Sequence, residues 1–138
     1  MIKRVFVDSD VILDVGLARE PFLQASKLVL SLLENGRAVG HLSSNSITNI
    51  YYILRKAGGD SNARVFIGKL LKYMTVSPVG HSTILSALKS EFGDFEDAVQ
   101  HESANESQCS AIVTRNLEHY KKSRIEVSAP SDYIRQFE

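Results

Sequence analysis

The chain has 138 residues, a length that suits one compact domain with a buried core. Apolar residues make up 43% of it, and sixteen basic residues balance sixteen acidic ones, so no net charge indicates a nucleic-acid partner. One cysteine excludes an internal disulfide framework, and the sequence shows neither a signal peptide nor an apolar run of about 18 residues. We therefore expect a single domain over residues 1–138 that resides in the cytoplasm and has no membrane partner.

Apolar runs and helical periodicity, followed in chain order, predict strands separated by helices. The predicted elements are a strand at 3–7, helices at 11–15 and 22–34, a strand at 38–42, helices at 44–56 and 61–71, a strand at 74–77, helices at 82–90 and 95–107, strands at 111–114 and 125–127, and a helix from 130. Such alternation is typical of right-handed βαβ units. We expect a three-layer α/β/α sandwich with a mainly parallel sheet.

Side-chain patterns predict which faces of the helices are buried. The third helix carries Thr48 and Asn49 on a polar stripe opposite an apolar one. The fourth helix is expected to begin at a capping Asp60 or Ser61. Its predicted inward-facing residues are Val65, Phe66, Leu70 and Leu71.

Three residue types outside these stripes also have predicted surroundings. Asp94, Asp97 and His101 share one face of the sixth helix, and such a polar face is usually solvated. His41 has no partner at ligand spacing and is expected at the surface or in a turn. Cys109 precedes an apolar strand and is expected in the core.

Two acidic clusters carry the clearest chemical signal of the sequence. Asp8 and Asp10 directly follow the first predicted strand, and Asp94 and Asp97 lie at the start of the sixth helix. Parallel-sheet proteins place their chemistry just beyond the carboxyl ends of the strands. Carboxylates gathered there favour hard cations such as Mg²⁺ or Mn²⁺. The clusters therefore predict a metal-dependent enzyme that acts on phosphates.

Four segments in this order resemble the PIN-domain family, most closely its small stand-alone bacterial members. They are residues 5–14, 48–56 with the pattern Thr-Asn-x-Tyr-Tyr, 94–98 and 112–116. The predicted last strand and helix also resemble the end of that domain, so the resemblance covers essentially the whole chain. It implies a five-stranded parallel sheet and a Mg²⁺- or Mn²⁺-dependent endonuclease, usually acting on RNA and leaving a 5′-phosphate and a 3′-hydroxyl. Many small members are toxins of VapC-type toxin–antitoxin pairs, and homodimers are common.

The resemblance also implies site residues. Asp8 and Asp97 match the metal-binding aspartates of the family. Asn49 stands where many members have a metal-binding glutamate, and Asn116 and His119 stand where a further aspartate often occurs. An amide oxygen can coordinate Mg²⁺ without adding charge. We therefore expect Asn49 and Asn116 to assist metal binding, with a lower affinity for Mg²⁺ than acidic residues would give.

Other residues near these motifs have both a functional and a structural interpretation. Asp10 and Asp94 either support the metal ligands from behind or cap helices, and capping is slightly favoured for Asp10. Arg115 either contacts substrate phosphate or is simply exposed. The hydroxyls of Ser9, Thr48 and Thr114 either bind metal-bound water or fix the carboxylates, with Ser9 and Thr48 near the substrate, or they cap a helix or bond to the backbone.

Two functions from different classes follow. The first is an endoribonuclease in which Asp8 and Asp97 hold one Mg²⁺, assisted by Asn49 and Asn116, with RNA as substrate and a possible antitoxin partner. The second is a catalytically degenerate PIN fold that binds RNA or protein, favoured by the neutral residues at two positions that are often acidic.

Overall fold

The computed structural model describes residues 2–138 and contains five strands, seven α-helices and a one-turn 3₁₀ helix in that range. The strands are β1 (Arg4–Val7), β2 (Val39–Ser43), β3 (Met74–Ser77), β4 (Ala111–Val113) and β5 (Glu126–Ser128). The helices are α1 (Ser9–Gly16), α2 (Leu23–Glu34), α3 (Ser44–Gly58), α4 (Asp60–Leu70), α5 (His81–Lys89), α6 (Phe95–Glu106) and α7 (Pro130–Arg135). The 3₁₀ turn covers Leu117–Tyr120 and was not predicted from the sequence.

All five strands are parallel and follow the order β3-β2-β1-β4-β5, which confirms the predicted parallel α/β fold. β1 is central, since Phe6 pairs with His41 of β2 on one side and Ile112 of β4 on the other. The chain adds strands on one side of β1 through β3 and then returns to the other side. The loops after β1 and β4 therefore leave the sheet at its topological switch point, where ligand sites of open α/β sheets lie.

Alternating side chains of β1 supply both faces of the core. Val5 and Val7 pack with residues of α1, α2, α3, α4 and α7 on one face of the sheet. Phe6 packs on the other face with Ala104 of α6 and Tyr120 of the 3₁₀ turn. Helices cover both faces of the sheet, so the central strand β1 and its neighbour β4 are largely apolar, while β2, β3 and β5 also carry polar residues.

Helix α6 is buried although its sequence is polar. Every residue from Asp97 to Ala104 is buried, so the polar face that carries Asp97 and His101 is not the solvated side of the helix. His101 is fully buried: its Nδ1 lies 3.0 Å from Glu102 Oε2, and the Arg124 backbone N–H donates to its Nε2 at 3.1 Å. Arg124 Nη2 donates to Glu102 at 3.1 Å. These side chains satisfy one another, so the helix can be buried without apolar periodicity.

Several smaller predictions are corrected by the packing. Val65 and Leu71 are exposed, and α4 instead turns Ala63 inward together with Leu70. No side chain caps α4, because the residue before it is Gly59 at φ 92°. His41 is buried on β2, where its Nδ1 lies 3.1 Å from Ser77 Oγ.

Cys109 is buried, as predicted, and burial raises the pKa of its thiol to about 12. Such a thiol is protonated at neutral pH and is no nucleophile. Across residues 2–138, no helix has the length and apolar character needed to cross a bilayer.

Gly40 of β2 lies where two core side chains approach the sheet. A Cβ added there would be 2.5 Å from Leu33 Cδ1 and 3.2 Å from Met74 Cε, and both side chains are buried. We expect Gly40→Ala to lower the free energy of unfolding by about 1–3 kcal/mol, because the core must shift to accept the methyl group. Urea unfolding followed by circular dichroism measures the change.

Gly68→Ala is the matched control, because a Cβ at Gly68 meets nothing within 4 Å and the residue lies inside α4. There alanine should stabilise by about 0.5–1 kcal/mol. Equal effects at the two glycines would contradict the packing argument.

Candidate active site at the carboxyl ends of β1 and β4

A cleft of about 250 Å³ opens at the switch point of the sheet. Its lining residues are Asp8, Ser9, Asp10, Asp94, Glu96, Asp97, Gln100, Asn116 and His119. The nine residues come from the junction of β1 and α1, the start of α6 and the loop after β4. Five of them are acidic, and these lie at the first two places. The structure therefore brings the two acidic clusters of the sequence into one cleft.

Asp8 follows the last residue of β1 and is held in place from three sides. Its carboxylate accepts from the Ser9 N–H at 2.7 Å, which makes it the N-cap of α1, and from Thr114 Oγ1 at 2.8 Å. Its own N–H donates to the Val113 carbonyl at 2.9 Å. Burial raises the pKa of Asp8, and the charge of Asp97 adds to this rise against the lowering effect of the hydrogen bonds. Capping fixes the carboxylate and leaves it facing the cleft.

Asp10 holds the loop after β4 instead of capping α1. Its Oδ2 accepts from the Arg115 N–H at 3.1 Å and from Asn116 Nδ2 at 3.1 Å. Its Oδ1 is buried and has no hydrogen-bond partner among residues 2–138. Burial, followed by the charge of Asp8, raises the pKa of Asp10 to about 6. The site therefore contains an acceptor oxygen that nothing in the described chain satisfies.

Asp97 faces these two carboxylates from the first turn of α6. Asp94 is the N-cap of that helix and accepts from the Asp97 N–H at 3.0 Å. His119 Nδ1 lies 3.3 Å from Asp97 Oδ2. The pKa of Asp97 is raised to about 6 by burial and then by the charge of Asp94, while His119 opposes the shift. His119 thus contacts an acidic side chain of the cleft, which its position in the sequence did not reveal.

Tyr120 contributes a buried hydroxyl beside the cleft. The side chain is 2% exposed, and its hydroxyl makes no hydrogen bond of normal geometry within residues 2–138. Burial, followed by the charges of Asp8, Asp97 and Asp10, raises the pKa of the phenol, so it stays protonated. Its hydroxyl lowers the pKa of Asp8 as a hydrogen-bond donor, which places the phenol O–H beside that carboxylate. The 3₁₀ turn creates this arrangement, and no periodic pattern signals it.

Thr48 and Asn49 lie on the exposed face of α3 and do not line the cleft. Thr48 Oγ1 donates to the Asn45 carbonyl at 3.0 Å, a bond to the backbone of its own helix. Ser46 of α3 is buried instead, and its Oγ lies 3.5 Å from Oε1 of the cleft residue Gln100. One turn of helix separates it from Asn49.

Arg115 is engaged on the far side of the loop. Its Nε and Nη2 donate to the two carboxylate oxygens of the fully buried Asp14 at 2.7 and 3.0 Å. The guanidinium carbon lies 3.8 Å from the centre of the Phe22 ring. This bidentate pair neutralises a carboxylate of α1, so the Arg115 guanidinium already has a partner within the protein.

The oxygen donors of the cleft fit a hard divalent cation. Among residues 2–138, no three His, Cys, Asp or Glu side chains already converge as a metal cage. Mg²⁺ needs no such cage, because one or two carboxylates with water and substrate phosphate commonly bind it. Burial and then mutual repulsion raise the pKa of Asp8, Asp10 and Asp97, and a bound cation would oppose both effects. The buried Oδ1 of Asp10 offers a further acceptor without a partner in residues 2–138.

The repulsion predicts how Asp97→Asn affects stability. The pKa of Asp97 rises from 3.8 to about 6 on folding, so its ionisation in the folded state costs nothing below about pH 4 and has its full cost above about pH 6. Stability from this group therefore falls as the pH rises through that window. We expect Asp97→Asn to stabilise the protein without divalent ions by on the order of 1 kcal/mol at about pH 7.5, and not at about pH 4.

Thermal unfolding in EDTA at both pH values measures this effect, with Asp132→Asn as an exposed control outside the cleft. Stabilisation of equal size at both pH values would contradict the role of the Asp97 charge.

The Arg115–Asp14 pair predicts a different outcome for Arg115→Gln. Removing the guanidinium leaves the buried Asp14 carboxylate without its bidentate partner, with only the Ser26 hydroxyl at 3.0 Å and Arg19 Nη1 at 3.8 Å. We expect a loss of about 3 kcal/mol in the free energy of unfolding, measured in urea. Arg135→Gln, which breaks an exposed pair with Asp132, should cost less than about 1 kcal/mol. A loss of less than about 1 kcal/mol for Arg115→Gln would contradict this structural role and leave Arg115 as a candidate for phosphate binding.

Comparison with known proteins identifies proteins similar to this chain in sequence and in fold. The sequence profile of the PIN domain matches residues 4–118. The chain is 25% identical over 140 residues to ribonuclease VapC1 of Aquifex aeolicus, a match that covers 98% of this chain and 96% of the relative.

Two solved structures illustrate the similarity of fold. A toxin–antitoxin complex from Klebsiella pneumoniae contains a chain with a TM-score of 0.70 and 16% identity, over 91% of this chain and 97% of that one. The sarcin–ricin-loop-cleaving toxin VapC20 of Mycobacterium tuberculosis gives 0.61 and 17%, over 78% of this chain and 86% of that one. With its parallel sheet and the acidic cleft at the switch point, this chain belongs to the PIN-domain family.

Proposed function

We propose that the protein is a metal-dependent endoribonuclease that cuts RNA in the acidic cleft. The observation that carries the proposal is the meeting of Asp8 and Asp97 across the cleft with pKa values raised by burial and by neighbouring charge. Perturbed carboxylates in a cleft are typical of functional sites. The ribonuclease name of the Aquifex aeolicus relative supports RNA as the substrate class.

Asp8 and Asp97 would hold Mg²⁺ or Mn²⁺ in this proposal. The cation, when bound, supplies charge that acidifies water and offsets negative charge that develops on the phosphate. Thr114 and the Ser9 N–H fix the orientation of Asp8, so its carboxylate is already ordered before the ion binds.

Asp10 has a positioning role in the proposal. It fixes the Arg115–Asn116 backbone turn and directs the Asn116 amide toward the cleft. Asn116 can then orient a water or a phosphate oxygen through its amide. Asp94 acts on Asp97 by capping α6 and by adding negative charge. Asn49, Thr48 and Arg115 have no part in this mechanism, because their side chains lie outside the cleft or are engaged elsewhere.

We also propose a protein partner of the antitoxin class. Several proteins with the same fold are described as members of toxin–antitoxin complexes, among them those of Klebsiella pneumoniae and Rickettsia felis. An antitoxin would silence the cleft by covering its carboxylates. With RNA as substrate and an antitoxin as partner, we propose the cytoplasm as its location, and homodimer formation stays a prediction.

A second candidate is a PIN fold that binds RNA without cutting it. The favouring observation is that α3 places no acidic side chain in the cleft: Asn49 is exposed outside it, and the buried Ser46 contacts the cleft residue Gln100. A site with fewer charges binds Mg²⁺ more weakly and depends more on substrate phosphate.

Cleavage of a mixed RNA panel separates the two functions. We expect wild-type protein to cut in Mg²⁺ or Mn²⁺ and not in EDTA, and Asp97→Asn to lower the rate by at least about 100-fold because the metal loses a charged ligand. Labelled RNA resolved on denaturing gels measures the rate, and end analysis should show 5′-phosphates.

Asp132→Asn is the matched control, since it removes one exposed carboxylate outside the cleft. If folded wild type is inert on every RNA with every metal yet still binds RNA, the nuclease proposal fails and the binding function replaces it.

A further inference from the structure

A second cavity of about 310 Å³ adjoins the acidic cleft. The two share Asp94, Asp97 and His119 as lining residues. The remaining lining residues of this side pocket are Glu91, Phe92, Gly93, Glu118, Lys121 and Lys122. The volume is at the lower end of the range that proteins use for small ligands. Any occupant would lie directly beside a phosphate bound in the cleft.

The side pocket has an aromatic wall held in a fixed position. Phe92 is half-buried, and its ring packs against His101 at 4.8 Å and Tyr120 at 5.9 Å between ring centres. Gly93 lines the same cavity, and a Cβ added there would meet no atom of a residue other than its chain neighbours within 4 Å. An aromatic side chain at the wall of a cavity can serve as a platform for stacking a nucleobase.

The charged groups of the side pocket indicate which base it would accept. Glu91 makes no hydrogen bond or ion pair within residues 2–138, and Glu118 Oε1 lies 3.4 Å from Lys121 Nζ. Ionised carboxylates only accept hydrogen bonds, so they attract the amino groups of guanine, adenine and cytosine. Uracil offers one N–H between two carbonyl oxygens, which a carboxylate repels.

The lysines complete the recognition. Lys122 forms no ion pair in the described part of the chain, and Lys121 pairs only with the exposed Glu118. Both lie at the same cavity as the carboxylates, where they can contact the phosphates that flank a bound base.

We propose that the side pocket is a nucleobase subsite for the nucleotide next to the scissile phosphate, selecting a base with an amino group over uracil. Phe92 stacks on the base, Glu91 accepts from its amino group, and Lys121 and Lys122 contact the flanking phosphates. The inference rests on the proposed nuclease function, because the acidic cleft must hold the scissile phosphate.

Sequencing the ends produced from a random RNA pool tests the subsite. We expect uracil to be depleted about tenfold at one position next to the cut for wild type. Glu91→Gln should remove most of this depletion, because an amide both donates and accepts. Gly93→Leu should raise KM about tenfold with little change in kcat by filling the pocket. Glu126→Gln and Gly68→Leu are matched controls on β5 and α4, away from both cavities.

A parallel binding measurement keeps the subsite test separate from the nuclease test. Guanosine 5′-monophosphate, added without metal, should shift the amide resonances of Phe92 and Gly93, and uridine 5′-monophosphate should not. Inert protein that shows these shifts would overturn the nuclease function and keep the subsite. Cleavage with no base preference, or with preference and KM unchanged in Gly93→Leu, would overturn the subsite and keep the nuclease.

Discussion

The site depends on the way in which carboxylates of the β1–α1 segment hold the loop that follows β4. Asp8 accepts from Thr114, Asp10 accepts from the Arg115 backbone and Asn116, and Asp14 pairs with the Arg115 guanidinium. These bonds join residues more than 100 positions apart in the sequence. Without them, two adjacent strands would still pair, but their outgoing loops would have no fixed relation.

The same crowding of carboxylates opposes stability. Burial and mutual charge raise the pKa of Asp8, Asp10 and Asp97, and Oδ1 of Asp10 has no hydrogen-bond partner within residues 2–138. An unsatisfied buried polar atom costs about 1–3 kcal/mol. The apolar core on the two faces of the sheet offsets this cost. Such a local cost in stability is expected at a functional site, where the side chains are arranged to bind a ligand.

The sequence predicts the sheet well and the site in part. β1 and β4 are short, largely apolar runs, which indicate buried parallel strands directly, and Asp8 and Asp97 follow from the resemblance to the family. The burial of α6 could not be predicted, because His101, Glu102 and Arg124 satisfy one another through contacts between distant segments. The position of Asn49 relative to the cleft depends on the rotation of α3 about its axis, and the polar stripe of α3 does not fix this rotation closely enough to place one residue.

Strand order has a consequence for the timing of synthesis. β1 lies at the centre of the sheet, yet its neighbour β4 and the cleft residues Asp97, Asn116 and His119 come much later in the chain. A ribosome adds roughly 5–20 residues per second, so the first acidic cluster emerges well before its counterpart. The nascent polypeptide therefore contains Asp8 and Asp10 before Asp97 and the loop after β4 have been synthesised. If the proposed nuclease function holds, the cell meets the assembled cutting site only when translation of the domain is nearly complete.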